Sequence, residues 1–231
     1  MADLAALIFD VDGTLAETEE LHRAAFNAAF AEAGLGWNWS QDDYRRLLKT
    51  TGGKERIAVH MSEIGATAGS LDIPALHKAK TAHYTALMAA GGLPLRAGIA
   101  DLMAQARAAG LRLAISTTTS RPNVEALCHA CFGAAGDDVF DIIAAGDEVT
   151  TKKPAPDVYQ LALERLGLPA SSCIALEDSR NGLLSAQAAG IPCIVSASVY
   201  TAGDDFTGAR AVVAEFSDLG GLSGLSRLGE N

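Results

Sequence analysis

Residues 10–14 read Asp-Val-Asp-Gly-Thr, directly after an apolar run from Leu4 to Phe9. Residues two apart on an extended strand point to the same side. Asp10 and Asp12 would therefore lie side by side and repel, unless a cation holds them. Three later apolar runs also lead to polar chemistry. Residues 111–116 lead into the hydroxyl run Ser116-Thr117-Thr118-Thr119-Ser120, residues 139–145 precede Lys152-Lys153-Pro154, and residues 172–177 end in Glu177 with Asp178-Ser179 following. Carboxylates clustered without histidine or cysteine favour a hard, oxygen-seeking cation such as Mg²⁺. A lysine and hydroxyls then supply donors to phosphate oxygens that the metal leaves free. Taken singly, an acid after a strand is an ordinary helix cap and a Ser-Thr run is ordinary turn material. Caps alone do not explain four such endings in one chain.

The four endings meet only if the apolar runs are neighbouring strands. From Leu93 onward, apolar runs alternate with helical patterns: helices at 99–109, from Arg121-Pro122, at 156–166 and at 181–189, with further strands at 191–196 and 211–216. That alternation implies β-α-β units and a mostly parallel sheet covered on both faces. Between residues 18 and 90 no strand pattern occurs. Helices are expected from Thr18, a good N-cap, to Gly34, at 41–48, at 54–64, and from Pro74 to Gly91-Gly92. The predicted fold is α/β: a Rossmann-like, mostly parallel sheet with helices on both faces, plus an inserted all-helical cap domain. The expected core comprises residues 1–16 and 91–231, and the cap residues 17–90. Such sheets bind ligands at the carboxyl ends of their strands, where the strand order switches.

Bulk properties narrow the partners. A formal net charge of −10 over 231 residues argues against nucleic acid or an anionic membrane, which require a basic footprint. No apolar stretch approaches the roughly 18 residues of a membrane span. The first residues lack a basic region ahead of an apolar one, so no leader is expected and the cytoplasm is the expected location. Nothing in the pattern asks for more than a monomer. Cys173 and Cys193 fall in strand-like runs as small hydrophobes. Cys128 and Cys131 match C-x-x-C, but no second pair stands at zinc-site spacing and the pair falls late in a helix, so a packing role is expected. Thr51-Gly52-Gly53-Lys54 ends like a Walker A loop, yet Glu55 stands where Ser or Thr is needed and Leu48 where the first glycine is needed. No G-x-G-x-x-G follows the first strand, and neither H-E-x-x-H nor G-x-S-x-G occurs.

On these residues the chain resembles the haloacid dehalogenase superfamily, phosphatase branch. Asp10-Val11-Asp12-Gly13-Thr14 is similar to its first motif, Ser116 to its second, Lys153 to its third and Glu177-Asp178 to its fourth. The stretches from Thr18 to His22, 153–157 and 176–182 resemble the β-phosphoglucomutase-like subfamily with its C1-type cap. Within that subfamily the chain is most similar to the CbbY-type group of Calvin-cycle-associated sugar-bisphosphate phosphatases acting on xylulose 1,5-bisphosphate. The resemblance implies Asp10 as nucleophile forming an aspartyl-phosphate, Asp12 as general acid and base, and Ser116 and Lys153 as partners of the phosphoryl oxygens. Lys153 is preferred to Lys152 because it directly precedes Pro154, as the family lysine does. Mg²⁺ would be held by Asp10, the Asp12 backbone carbonyl and Asp178, with Glu177 as a ligand or as support for one.

The same resemblance puts Glu17 at the hinge and His22 facing a small-molecule sugar phosphate. Thr51, Gly52, Gly53, Lys54 and Arg56 are placed near a second phosphate, and Thr117 and Thr118 beside Ser116. His60, His77 and His83 are expected to be surface or packing residues. A sugar phosphomutase of the β-phosphoglucomutase type is the alternative activity, and a non-catalytic binding protein on the same scaffold the remote one. Metal-free dehalogenation would leave Asp12 and Asp178 without a purpose.

Overall fold

The structure is a computed structural model and describes residues 4–67, 69 and 71–227. The leaderless reading of the N-terminus rests partly on residues 1–3, outside the described residues. Strand β1 (Ala6–Phe9) is followed by four helices, α1 (Glu19–Glu32), α2 (Gln41–Leu47), α3 (Gly53–Glu63) and α4 (Ile73–Ala89). Then come α5 (Ile99–Ala108), β2 (Arg112–Ser116), α6 (Arg121–Phe132), α7 (Gly136–Val139) and β3 (Ile142–Ala144). The chain closes with α8 (Asp157–Leu166), β4 (Cys173–Glu177), α9 (Arg180–Ala188), β5 (Cys193–Ser196), β6 (Ala211–Val213) and α10 (Leu222–Arg227). Among the described residues, no helix is long and apolar enough to cross a membrane.

Six strands of the described chain form one sheet in the order β3-β2-β1-β4-β5-β6, and every pairing is parallel. The order switches between β1 and β4, so a crevice is expected at their carboxyl ends. The carboxylate-bearing segments, 10–12 and 177–178, lie there.

The two faces of the sheet differ in residue size. Leu7, Phe9, Leu113, Ile115, Ile174, Leu176 and Ile194 point to one face, where α5 and α6 supply Leu102, Met103, Val124 and Leu127. Ala6, Ala114, Ala144, Ala175, Cys173 and Cys193 point to the other, with Ile8 and Val195 as its larger residues, under Val158, Tyr159 and Ala162 of α8 and Leu183 and Ala186 of α9. Strand alternation produces this division. The small face leaves room for the fully buried Tyr159 ring.

The four-helix insertion has a core of its own: Phe26, Phe30, Trp39, Tyr44, Leu47, Ile57, Met61 and Leu76, joined by Tyr200 from the segment after β5. It is the inserted helical cap of the expected fold class. Ser40 and Asp43 form a reciprocal capping box at α2, and Asp72 caps α4 by accepting from the Ala75 amide.

Local details depart from the sequence reading. Thr18 stands at the N-cap of α1 without capping it: its hydroxyl donates instead to Asp12 Oδ1 at 2.6 Å. The run 139–145 yields only a three-residue edge strand, because the α7 turn occupies Gly136–Val139 and Asp141 accepts from the Leu113 amide. The last apolar run pairs over Ala211–Val213 alone and then enters a 3₁₀ turn.

Gly98 starts α5 at φ +88°, and a methyl group there would collide with the backbone of Phe216 and Ser217. Both the left-handed backbone and the clash penalise a side chain. Gly98→Ala is expected to cost at least about 2 kcal/mol, read as a lower urea midpoint; an unchanged midpoint would show that the 216–217 turn is free to move.

Candidate active site

Lys153 is the centre of the crevice floor. Its Nζ donates to Asp10 Oδ1 at 2.7 Å, to Glu177 Oε1 at 2.7 Å and to the Ser116 carbonyl at 2.8 Å. Those bonds use all of its donors. Burial opposes the ammonium charge, but the Asp10 and Glu177 carboxylates outweigh burial and raise its pKa. Glu177 Oε1 also accepts from the Tyr159 hydroxyl at 2.6 Å, while Glu177 Oε2 is buried without a partner among the described residues. Oxygens of Asp10, Glu177 and Asp178 come within 4.8 Å of one another. Burial pushes Asp10 and Asp178 well above the usual carboxylate range, and the neighbouring carboxylates push the same way.

One ammonium does not neutralise these acids. An all-oxygen set with an orphaned carboxylate oxygen and surplus negative charge fits a hard divalent cation. Two glycines make the cluster possible. Gly13 turns at φ +83°, and a methyl group there would strike the Asp178 carboxylate. A methyl group on Gly182 would collide with the Glu177 carboxylate.

Asp12 lives in a different environment. Its Oδ1 accepts from Thr18 Oγ1 at 2.6 Å and lies 2.9 Å from His22 Nε2. His22 stacks on Tyr84 with ring centroids 4.0 Å apart, and its Nδ1 meets Lys80 Nζ at 2.5 Å. This line is consistent with Lys80 donating to Nδ1 and Nε2–H donating to Asp12. Burial opposes ionisation of Asp12, but His22, Thr18 and Lys80 hold its carboxyl at about 2. Burial takes Lys80 down to about 7, despite the pull of Asp12.

A crevice of about 800 Å³ brings together Asp10, Asp12, His22, Thr51, Gly52, Gly53, Lys54, Arg56, Thr117, Thr118, Lys153 and Asp178. Ser116 and Glu177 are fully buried behind its wall, and Ser116 Oγ has no partner among the described residues. Thr51 donates its hydroxyl to the Lys153 carbonyl, so that part of the cap is seated on the floor. Arg56 is held by Tyr44 Oη at 2.9 Å. Glu17 is not among the crevice residues: it lines a smaller neighbouring cavity and lies 3.7 Å from Arg96 Nε. Lys152 donates to the carbonyls of Gly146 and Val149, away from Asp10. Both cysteines of the C-x-x-C pattern lie in α6 and are free thiols, with pKa values raised by burial.

Sequence reasoning missed several residues here. Lys80 is one, although Leu76, Lys80, Tyr84 and Met88 share the buried face of α4; a lysine inside an apolar i, i+4 stripe was the available signal. His77, expected on the surface or in packing, lines the crevice, and burial lowers it to about 4. Arg96 is buried and donates to the carbonyls of Gly13 (2.6 Å), Ser196 (2.7 Å) and Ala197 (3.1 Å). It thereby ties the segment after α4 to both loops beside the carboxylates.

Residues 4–190 match the haloacid dehalogenase-like hydrolase family. Protein CbbY of Cereibacter sphaeroides is 56% identical over 220 residues, covering 95% of this chain and 96% of that protein. The crystal structure of CbbY from Rhodobacter sphaeroides in complex with phosphate superposes with a TM-score of 0.94 at 55% identity, over 96% of this chain and 99% of that one. A D10N mutant of that protein, in complex with xylulose 1,5-bisphosphate, gives 0.93 at the same identity and coverage.

The buried Lys80 charge has a measurable cost. Its folded pKa, about 7, lies below the value near 10.4 that an unfolded chain keeps. The unfolded state therefore binds more protons between those pH values, and stability rises with pH across that window. Lys80→Met is expected to stabilise the fold at pH 7 by on the order of 2 kcal/mol, a gain that shrinks towards pH 10. Thermal melts at both pH values check this; a lower midpoint at pH 7 would contradict it.

Proposed function

The chain belongs to the haloacid dehalogenase-like hydrolases, and on that premise we propose that it is a Mg²⁺-dependent phosphatase of xylulose 1,5-bisphosphate acting through an aspartyl-phosphate. The observation that carries this reading is the opposite surroundings of two acids two residues apart. Asp10 touches Lys153 and the carboxylate cluster, whereas Asp12 touches Thr18 and His22. One suits a nucleophile, the other a proton carrier.

Asp10 attacks phosphorus, and the sugar oxygen leaves with a proton from Asp12. In the second half Asp12, left as the carboxylate by that donation, takes a proton from the attacking water; inorganic phosphate leaves, Asp10 is freed, and Asp12 regains its acid form. His22, backed by Lys80, orients the Asp12 carboxyl through its hydrogen bond. The Ser116 hydroxyl, without a partner among the described residues, donates to the phosphoryl oxygens, and the charge of Lys153 offsets theirs. Asp10, Asp178, the Asp12 carbonyl and Glu177 would hold Mg²⁺, which supplies charge neutralisation for the transferred group. Thr51, Gly52, Gly53, Lys54 and Arg56 lie on the cap side of the crevice, where the second phosphate binds, and His22, Thr117 and Thr118 contact the sugar. The relative whose D10N mutant holds xylulose 1,5-bisphosphate supports this choice of substrate.

A phosphate-release screen over sugar mono- and bisphosphates tests the reading. Xylulose 1,5-bisphosphate is expected to be preferred, EDTA to abolish turnover, and Asp10→Asn to slow it by at least ~10³-fold. Near-normal release by Asp10→Asn would overturn the mechanism. A product that only turns over with a bisphosphate primer would identify a mutase instead.

A further inference from the structure

The segment 196–201 makes two different grips with adjacent residues. Tyr200 is 8% exposed although it follows β5, because its ring sits in the cap's aromatic cluster. It meets Tyr44 edge-on at 5.6 Å, the Arg45 guanidinium lies 5.2 Å from its centroid, and its hydroxyl donates to Glu20. Thr201, next in the chain, faces the other way. Its hydroxyl accepts from the Ser198 amide at 2.9 Å and lies 2.7 Å from the Asp178 carbonyl and 3.3 Å from Asp178 Oδ2.

The segment between these grips is stiff. Arg96 holds the carbonyls of Ser196 and Ala197, and the amides of Thr201 and Ala202 both bond to the Ser198 carbonyl. Adjacent Cα atoms are fixed about 3.8 Å apart, so a movement of Tyr200 with the cap is delivered to Thr201. Other cap contacts end elsewhere: Thr51 on the Lys153 carbonyl, Asn181 on the Lys49 carbonyl, and Thr18 and His22 on Asp12. The Tyr200 contact differs because its neighbour is bonded to Asp178 of the acidic cluster, at its carbonyl and, at 3.3 Å, its carboxylate.

We propose that Tyr200 and Thr201 are positioning residues that link seating of the cap to the orientation of Asp178, so that a divalent cation is held at full strength only when the cap is closed. The link rests on the metal-dependent reading of the site given above. An opened cap must either expose the Tyr200 ring or draw Thr201 off Asp178. Exposing the ring is unfavourable in either case, whereas drawing Thr201 off Asp178 costs more with a cation bound, and by reciprocity the cation favours closure.

Direct Mn²⁺ binding, read by the electron paramagnetic resonance of free Mn²⁺ in the presence of inorganic phosphate, tests the link without turnover. Tyr200→Ala and Thr201→Val are each expected to weaken Mn²⁺ binding about tenfold, and the double variant also about tenfold, because the two act through one path. Tyr200→Phe, which keeps the ring contacts, is expected to stay within about threefold. Single variants within about twofold of the parent, or a double variant weakened about a hundredfold, would overturn the link. A purely structural role for Tyr200 would lower the melting temperature and leave Mn²⁺ affinity unmoved. Asp178→Asn is the control. Unchanged Mn²⁺ binding there sinks the metal-site reading and the link together, whereas lost binding there with unaffected single variants sinks the link alone.

Discussion

Buried like charge is the constraint around which this protein is arranged. Asp10, Glu177 and Asp178 offer oxygens within 4.8 Å of one another at the ends of β1 and β4. Isolated buried carboxylates are prohibitively unfavourable, so each neighbouring group must be read against that cost. Lys153 answers two of the acids, Tyr159 supplies a further donor, and Gly13 and Gly182 are the absences of side chain that let the carboxylates fit. The surplus negative charge is left for a cation to offset, and that cation can in turn draw a phosphate, as the proposed chemistry requires. A site balanced in isolation would have no call for either.

The cap is organised around the second acid of the first motif. Asp12 is tied through Thr18 and His22 to the start of α1 and through Lys80 to α4. The chain thus divides its two nearby acids between two bodies, Asp10 answering to the sheet and Asp12 to the insertion. Two of the helices that line the cap side of the crevice, α1 and α4, consequently also touch Asp12 or back its partner.

Much of this was legible in the residues. The endings of β1, β2 and β4 announced the site because strand alternation and strand ends are local properties. The helical character of the insertion followed from periodicity, and its place after β1 from the absence of strand patterns. Side-chain partners distant in the chain were not legible. Thr18 reads as a cap by every local rule, yet its hydroxyl goes to Asp12, which only the folded chain brings near. Lys80 is 58 residues from His22, and no short motif spans that distance. Arg96, Tyr200 and Thr201 act from irregular segments, where no periodicity marks which side chain is buried. The β3 edge was overestimated because apolar composition does not reveal the α7 turn.

The unequal faces of the sheet have a consequence for how this protein can change. On the face of large side chains, volume can be exchanged among many partners, and such cores accept compensating substitutions. On the other face, where alanines and cysteines surround Ile8 and Val195, α8 packs and Tyr159 reaches across to Glu177. An added methyl group there pushes on the helix whose tyrosine helps hold the acidic cluster. Drift in sequence should therefore be permissive on one side of the sheet and conservative on the other, although neither side lines the crevice.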